Sequence, residues 1–125
     1  MHAIGTFDVH LNPLSAHDAS LGRLSIDKEF RGDLAATSKG EMLAVSGTVE
    51  GSAGYVAMER VTGTLHGRRG TFAFQHSSTM TRGTPHQSIT VVADSGTDEL
   101  VGLSGSMLII IDGDLHSYEF EYVLS

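Results

Sequence analysis

The sequence predicts an all-β fold: a closed antiparallel barrel of about eight strands, formed by a single domain over residues 1–125. Several stretches alternate apolar and polar residues with a period of two, as half-buried strands do. Fifteen glycines, two prolines and many Thr and Val residues favour strands and turns over helices. No stretch predicts a helix able to cover a sheet, so one face of each strand is expected to meet water.

The N-terminal part alternates clearly in two places. Ala3–Leu11 predicts a strand, and Pro13 is expected to exclude a central position in a sheet ladder. Ser15–Asp18 predicts a loop with at most one capped helical turn. Leu21–Phe30 resumes the alternation, and Lys28 shares the apolar face of that strand.

The next segment is harder to divide into elements. The tripeptides RGD (residues 31–33) and SKG (residues 38–40) both indicate turns or bulges, so the strand boundaries between Arg31 and Met42 stay open. A weakly patterned strand over Glu41–Val49 and a turn over residues 50–54 follow.

Residues 54–80 predict a hairpin with its turn in HGRRG (residues 66–70). A two-residue loop at Gly67 and Arg68 would place Glu59 opposite His76, and a four-residue loop would shift the pairing by two. A three-residue loop would mix apolar with polar residues, so we reject it. Both accepted loops give one inward face, which comprises Tyr55, Ala57, Glu59, Val61, Leu65, Phe72, Phe74, His76 and Met80.

The C-terminal third predicts a strand over Gln87–Gly96, a glycine-rich bend over Ser95–Met107 and a final hairpin. The Asp112–Gly113 dipeptide is a strong hairpin signal and would pair Met107 with Tyr118. The inward face of this hairpin comprises Leu103, Met107, Ile109, Ile111, His116, Tyr118, Phe120 and Tyr122. A sandwich would also satisfy these strands. A barrel is favoured because closure removes exposed edges and leaves room for side chains or one small ligand.

Composition argues against several classes of protein. The net charge is −7 and the eight Lys and Arg residues are scattered, so no nucleic-acid partner is expected. The chain has no Cys, which excludes disulfides and thiolate metal sites and suits a cytoplasmic location. The longest apolar run, Met107–Ile111, is too short to span a membrane, and the N-terminus lacks a signal-peptide pattern.

Glu59 and His76 are the candidate catalytic residues, since an acid and an imidazole inside a cavity are suited to acid–base work. Burial should raise the pKa of the carboxyl and lower that of the imidazole, while their proximity opposes both shifts. The alternative is a structural hydrogen-bonded pair. Two such groups are too few for a metal site, and no cofactor is expected. Lys28 is expected to reach the barrel rim, or else an anion at the mouth.

Inward-facing aromatic and methionine side chains predict a site for an apolar small molecule. A tyrosine hydroxyl can hold a ligand oxygen, although ordinary packing is the alternative. Small barrels of this kind often associate, so a homo-oligomer is one expected state. Six histidines are expected outside the site, with His2, His10, His17, His66 and His86 solvated and His116 at a rim. The predicted ligand-binding residues are Tyr55, Phe72, Phe74, Met80, Met107, Tyr118 and Tyr122.

Three segments, residues 25–43, 54–76 and 102–107, resemble the bacterial domain-of-unknown-function family 3224, whose members have allene-oxide-cyclase-like barrels. Ser95–Met107 also resembles the glycine-rich bend of allene oxide cyclase and dirigent barrels, with Asp98 and Leu100 replacing a glycine and an aromatic residue. The resemblance implies a calycin-like barrel. The predicted apolar interior leaves two hypotheses for function, either a cofactor-free isomerase or cyclase acting on an apolar oxygenated substrate, or a non-catalytic carrier or sensor of a hydrophobic ligand. A barrel filled by its own side chains is the third reading.

Overall fold

A computed structural model describes residues 1–15 and 20–125 of the chain. Eight strands pair in chain order and close into an antiparallel barrel, which confirms the predicted fold class. The strands are β1 His2–Leu14, β2 Gly22–Gly32, β3 Leu34–Ser46, β4 Ala53–Leu65, β5 Arg68–Thr81, β6 Thr84–Val91, β7 Leu103–Asp112 and β8 Leu115–Leu124.

One end of the barrel, here called the closed end, is filled by side chains. The predicted bend before β7 contains a one-turn 3-10 helix, Asp98–Leu100, and Leu100 is buried. A Cβ at Gly70 would lie 2.2 Å from the Thr97 carbonyl oxygen and 3.1 Å from Leu100, so glycine lets this turn seat against β5. Leu34 and Leu65 join Leu100 in the same apolar cluster, which continues through the aromatic residues of β5 and β8.

The predicted hairpin of β4 and β5 keeps its inward face, but its register was wrong by two residues. Leu65 pairs with Arg68, so the turn is His66–Gly67, and both residues have positive φ, 46° and 79°. A tight turn of this kind requires left-handed backbone at both central positions, which places the glycine second. Glu59 therefore lies opposite Phe74 instead of His76.

The β7–β8 hairpin differs from its prediction in the same way. Asp112 pairs with Leu115, which makes Gly113 and Asp114 the turn, and Met107 lies opposite Phe120. Gly113 has φ 61° and occupies the first central position, where a type II′ turn requires glycine. The inward faces survive both errors because a shift of two residues preserves the side-chain alternation.

Three predictions for the first half of the chain meet different outcomes. β1 continues beyond its predicted end at Leu11 to Leu14, but Pro13 has a ladder partner on one side only, as expected of a proline. The Asp33 N–H donates to the Ile4 carbonyl, so the backbone groups of even-numbered β1 residues form the hydrogen bonds to β2. The nitrogen of Pro13 therefore points to the side of β8, and β8 pairs only with His2–Thr6, so no ladder hydrogen bond is lost there. The SKG turn was wrong, since these residues lie within β3. The helical turn at Ser15–Asp18 falls largely on residues 16–19, outside the described residues.

The opposite end, here called the open end, is less completely laddered. β6 pairs with β7 only at Thr90 and Ser106, and β8 pairs with β1 only over residues 117–121. Residues 108–116, here called the β7–β8 tip, therefore extend beyond both neighbouring ladders. The side chain of Gln87 replaces part of the missing ladder, since its amide donates to the Ile109 carbonyl and accepts from the Ile109 N–H, each at 3.1 Å.

Gly40 provides a test of the close packing between β3 and β4. A Cβ at this position would lie 1.9 Å from the Met58 carbonyl oxygen, so we expect Gly40→Ala to lower the free energy of unfolding by about 1–3 kcal/mol through backbone displacement. Urea denaturation measures the change.

Gly22→Ala is the matched control for Gly40→Ala. A Cβ at Gly22 would meet only ordinary contacts, at 3.6 Å and 3.9 Å from Ala44, so we expect unchanged or slightly raised stability. Equal effects of the two substitutions would contradict the packing described at Gly40.

Candidate functional site

Glu59 lies at the centre of a buried polar cluster in the barrel. One carboxylate oxygen, Oε2, lies 2.6 Å from Nε2 of His76 and 3.1 Å from Nζ of Lys28. The other, Oε1, accepts a hydrogen bond from the hydroxyl of Ser38. The Glu59 side chain is 0% exposed. Lys28, Ser38, Glu59 and His76, here called the Glu59 cluster, come from four consecutive strands.

Strand register brings these four residues together. Lys28 pairs with Ser38 across β2 and β3, and the Glu59 position on β4 pairs with Gly40, two residues further along β3. His76 on β5 lies diagonally from Glu59, opposite Ala57. All four positions share the inward face of their strands, and diagonal neighbours on one face are within reach of long side chains.

The charged form of Glu59 is strongly stabilised. Burial alone would raise the pKa of this carboxyl. The hydrogen bond from His76, the positive charge of Lys28 and the hydrogen bond from Ser38 outweigh that penalty and lower the pKa to about 2. The opposing effects of burial and His76 were predicted from the sequence, whereas the contributions of Lys28 and Ser38 were not.

The prediction that Lys28 lies at the rim was wrong. Its side chain is 6% exposed and its ammonium group sits 5.3 Å and 5.7 Å from the ring centroids of Phe7 and Phe30. Two aromatic faces and one carboxylate compensate for its removal from water. The lysine lies inward because the Glu59 carboxylate provides a buried partner.

His76 retains one ring nitrogen that is not used by Glu59. Nδ1 forms no hydrogen bond among the described residues. The His76 side chain is only 4% exposed, and the cavity that His76 lines lies on the outer face of β4 and β5. The next inward-facing residue along β5 is Ser78, which lines a pocket at the open end. His76 therefore lies one step below that pocket.

The open-end pocket has a volume of about 360 Å³. Two predicted ligand-binding residues, Tyr55 and Met80, line it. Lys28, Glu59 and His76 are not among its lining residues, so the pocket ends above the Glu59 cluster. Its walls come from β3 to β7, and they include Ala44, Tyr55, Ser78, Met80, Gln87 and Ile109.

The other five predicted ligand-binding residues pack against one another in the core instead. The rings of Phe72 and Phe74 meet edge to face at 5.0 Å, and Phe74 meets Phe120 at 5.4 Å. Met107 is buried in the same cluster, together with Tyr118 and Tyr122. The alternation of each strand predicts which residues face inward, but it does not separate a filled half of the barrel from an open half.

The hydroxyls of both core tyrosines already have partners. The Leu34 N–H donates to the Tyr118 hydroxyl at 2.9 Å, and that hydroxyl can donate to the Arg31 carbonyl at 2.9 Å. The Tyr122 hydroxyl contacts Nδ1 of His66, so His66 is more than the solvated residue predicted. Burial raises the pKa of both phenols. Neither hydroxyl lines the open-end pocket.

Residues 1–15 and 20–125 show neither a metal-ion cluster nor a membrane-spanning helix. No group of three or more His, Asp or Glu side chains in this part of the chain is placed to hold a metal ion. The same residues include no helix with the length and hydropathy that a bilayer span requires.

Comparison with known proteins gives a family and a solved relative. The family model described as "Protein of unknown function (DUF3224)" matches residues 3–122. The chain is also similar to the crystal structure of a DUF3224 protein of unknown function from Shewanella oneidensis MR-1. The two share 45% identity over 100% of this chain and 97% of that chain, with a TM-score of 0.96. No curated protein matches the chain. The predicted likeness to allene oxide cyclase stays a prediction.

The pKa of Glu59 predicts part of the acid sensitivity of the barrel. The value is about 2 in the folded protein against an ordinary 4.5, so folding favours the ionised form. This stabilisation is fully present above about pH 4.5 and is lost as the pH falls towards 2. A difference of that size corresponds to about 3 kcal/mol. We expect Glu59→Gln to lack this part of the pH dependence, as measured by urea denaturation between pH 7 and pH 2.5.

Two further variants sharpen this experiment. Asp8 pairs with Arg31 on the exposed surface, so Asp8→Asn should follow the wild-type pH dependence closely. Ser38→Ala removes one partner of Glu59 while keeping its charge, and should move the acid-induced loss of stability to higher pH. Parallel pH profiles for Glu59→Gln and the wild type would contradict the electrostatics described for the cluster.

Proposed function

We propose that this barrel binds an apolar small molecule at its open end. The chain belongs to the DUF3224 family of proteins of unknown function. The open-end pocket carries this proposal. Its volume of about 360 Å³ lies within the range of roughly 300–1,000 Å³ that is typical of small-molecule sites. Such sites combine apolar walls with a few polar groups that orient the ligand.

The polar groups of the pocket suit a ligand that carries oxygen. The Tyr55 hydroxyl forms no hydrogen bond within the described residues, so it is available to a ligand, and Ser78 lies directly opposite it on β5. Met80 and Ile109 provide apolar wall on either side of β6. A molecule with an apolar body and one or two oxygen atoms matches this combination.

The β7–β8 tip supports an access route for such a ligand. Ile109 and Ile111 of the tip line the pocket. Beyond the single Thr90–Ser106 pair, β6 is joined to the tip by the two hydrogen bonds between the Gln87 side chain and the Ile109 backbone. Ile111 is 65% exposed and Leu115 is 56% exposed, so an apolar ligand at this end would also cover part of the tip. Breaking the two hydrogen bonds between Gln87 and Ile109 costs less free energy than separating two strands joined by a complete ladder.

The Glu59 cluster favours a structural role beneath the pocket over proton transfer by Glu59. Its carboxylate has three partners, a pKa of about 2 and no place in the pocket wall. A general base works best with a pKa near the operating pH, so this carboxylate is a weak candidate. The cluster would instead fix the register of the strands that form the pocket floor.

A second candidate, a cofactor-free isomerase or cyclase for an apolar oxygenated substrate, is favoured by one observation. Nδ1 of His76 forms no hydrogen bond among the described residues, His76 lies one inward-facing position from Ser78 on β5, and its Nε2 contacts Glu59. A carboxylate that orients an imidazole is a common arrangement for acid–base catalysis. In this reading His76 exchanges a proton with the substrate, and Glu59 holds the imidazole ring of His76 in position.

Binding at the open end can be tested by filling the pocket. Ser78 lines the pocket, whereas its neighbour Ser77 faces the outer surface of β5. We expect the uncharged fluorescent probe N-phenyl-1-naphthylamine to bind the wild type and Ser77→Phe alike, and Ser78→Phe at least tenfold more weakly. Fluorescence titration gives the three dissociation constants, and circular dichroism checks that the variants fold.

Two outcomes of this titration would contradict the proposal. No saturable binding of the probe by the wild type, or equal binding by Ser77→Phe and Ser78→Phe, would remove the open-end pocket as a site. Native mass spectrometry of the purified wild type then seeks a bound natural ligand, whose chemical class would supply a substrate for the isomerase test. Loss of its turnover in His76→Gln, with binding retained, would support the catalytic reading.

A further inference from the structure

We propose that the closed end of the barrel carries a second site, which binds a small oxyanion between the Arg68 guanidinium and the Tyr122 hydroxyl. A cavity of about 450 Å³ lies here, and its lining residues include His66, Arg68 and Tyr122. None of these three residues lines the open-end pocket, so the proposal does not depend on the apolar ligand.

Strand alternation aims Arg68 at this cavity. Arg68 shares the inward parity of Gly70, Phe72 and Phe74 on β5, which are all buried. It is the first residue of the strand, so its side chain leaves the inner face where the barrel ends. Arg69, the next residue, faces the outer surface and is absent from the cavity lining.

Arg68 is a cation without a carboxylate partner in the described part of the chain. The nearby acids are engaged elsewhere: Asp33 lies 3.6 Å from Nε2 of His66 and accepts the Ile4 N–H, and Glu121 contacts His2. Arg60, Arg69 and Arg82 also lack a carboxylate partner in the described residues, but of these four arginines Arg68 is the one that lines this cavity. Its charge is therefore available to an external anion.

Tyr122 supplies a hydroxyl group near that charge. Burial raises the pKa of this phenol and the charge of Arg68 opposes the rise, so the hydroxyl stays protonated at neutral pH. The same hydroxyl contacts Nδ1 of His66, whose other ring nitrogen faces Asp33. The Tyr122 hydroxyl is thus held in place at the cavity. When Nδ1 of His66 carries a hydrogen and donates it to this hydroxyl, the hydrogen of the hydroxyl can point towards a bound oxygen.

These groups define the chemical class of the ligand. A guanidinium presents parallel N–H donors that match two oxygens of a carboxylate or a phosphate, and a hydroxyl donor adds a third bond. His66 adds positive charge whenever it is protonated. A carboxylate or a phosphate group, free or at the end of a larger molecule, fits this set of donors.

The test is a titration with inorganic phosphate and, separately, with acetate, followed by proton–nitrogen correlation NMR of the labelled full chain. Sodium chloride at matched ionic strength controls for screening. We expect saturable shifts at the amides of Gly67, Arg68 and Tyr122 for at least one anion. Arg68→Gln should weaken that anion at least tenfold, whereas Arg69→Gln removes the same charge and should leave its affinity within twofold.

Each outcome of the titration either assigns the class of the ligand or contradicts the proposed site. Saturation by phosphate alone assigns a phosphate group, and saturation by acetate alone assigns a carboxylate. Saturation by neither anion, or equal weakening by Arg68→Gln and Arg69→Gln, would overturn the site. Well-dispersed spectra of both variants establish that they fold, and naphthylamine binding at the open end reports separately on the proposed function.

Discussion

A carboxylate with no contact to water dominates the interior of this barrel. Removing a charged group from water is costly unless charges and hydrogen bonds replace the lost hydration. Glu59 obtains that replacement from Lys28, Ser38 and His76, which come from three other strands. The need to keep these partners around the carboxylate therefore fixes the register of the four strands β2, β3, β4 and β5. A slip of one residue in any of them would turn a member of the cluster outward.

The Glu59 cluster also lies between two halves of different character. Towards the closed end the interior is filled by aromatic rings, with Phe72, Phe74 and Phe120 in mutual contact. Towards the open end, small residues such as Ala44 and Ser78 leave the pocket empty of side chains. The two ends thus offer different surfaces: an apolar mouth beside the β7–β8 tip, and a polar cavity around Arg68.

The sequence predicts the fold and the inward faces well because alternation depends only on neighbouring residues. Glu59 and His76 are buried together as expected, and both still face inward although the predicted register was wrong by two residues. The partners of Glu59 were not predicted, since Lys28 and Ser38 reach it through the registers of two further strand pairs. Ser38 also lay in a tripeptide with a glycine that resembled a turn. Gly40 is instead required within the sheet, where a Cβ would collide with β4.

The order in which the strands pair also shapes how such a chain reaches its native state. Seven of the eight seams join strands that follow one another in sequence, so each can form by closing a short loop. The seam between β1 and β8 spans only the five pairs from His2 to Thr6 and joins opposite ends of the chain. Loop-closure entropy makes that seam the slowest contact to gain, and contact order links such long-range pairing to folding rate. Closure of the barrel therefore depends on one short ladder between the two ends of the chain, and without it β1 and β8 would each present a free sheet edge.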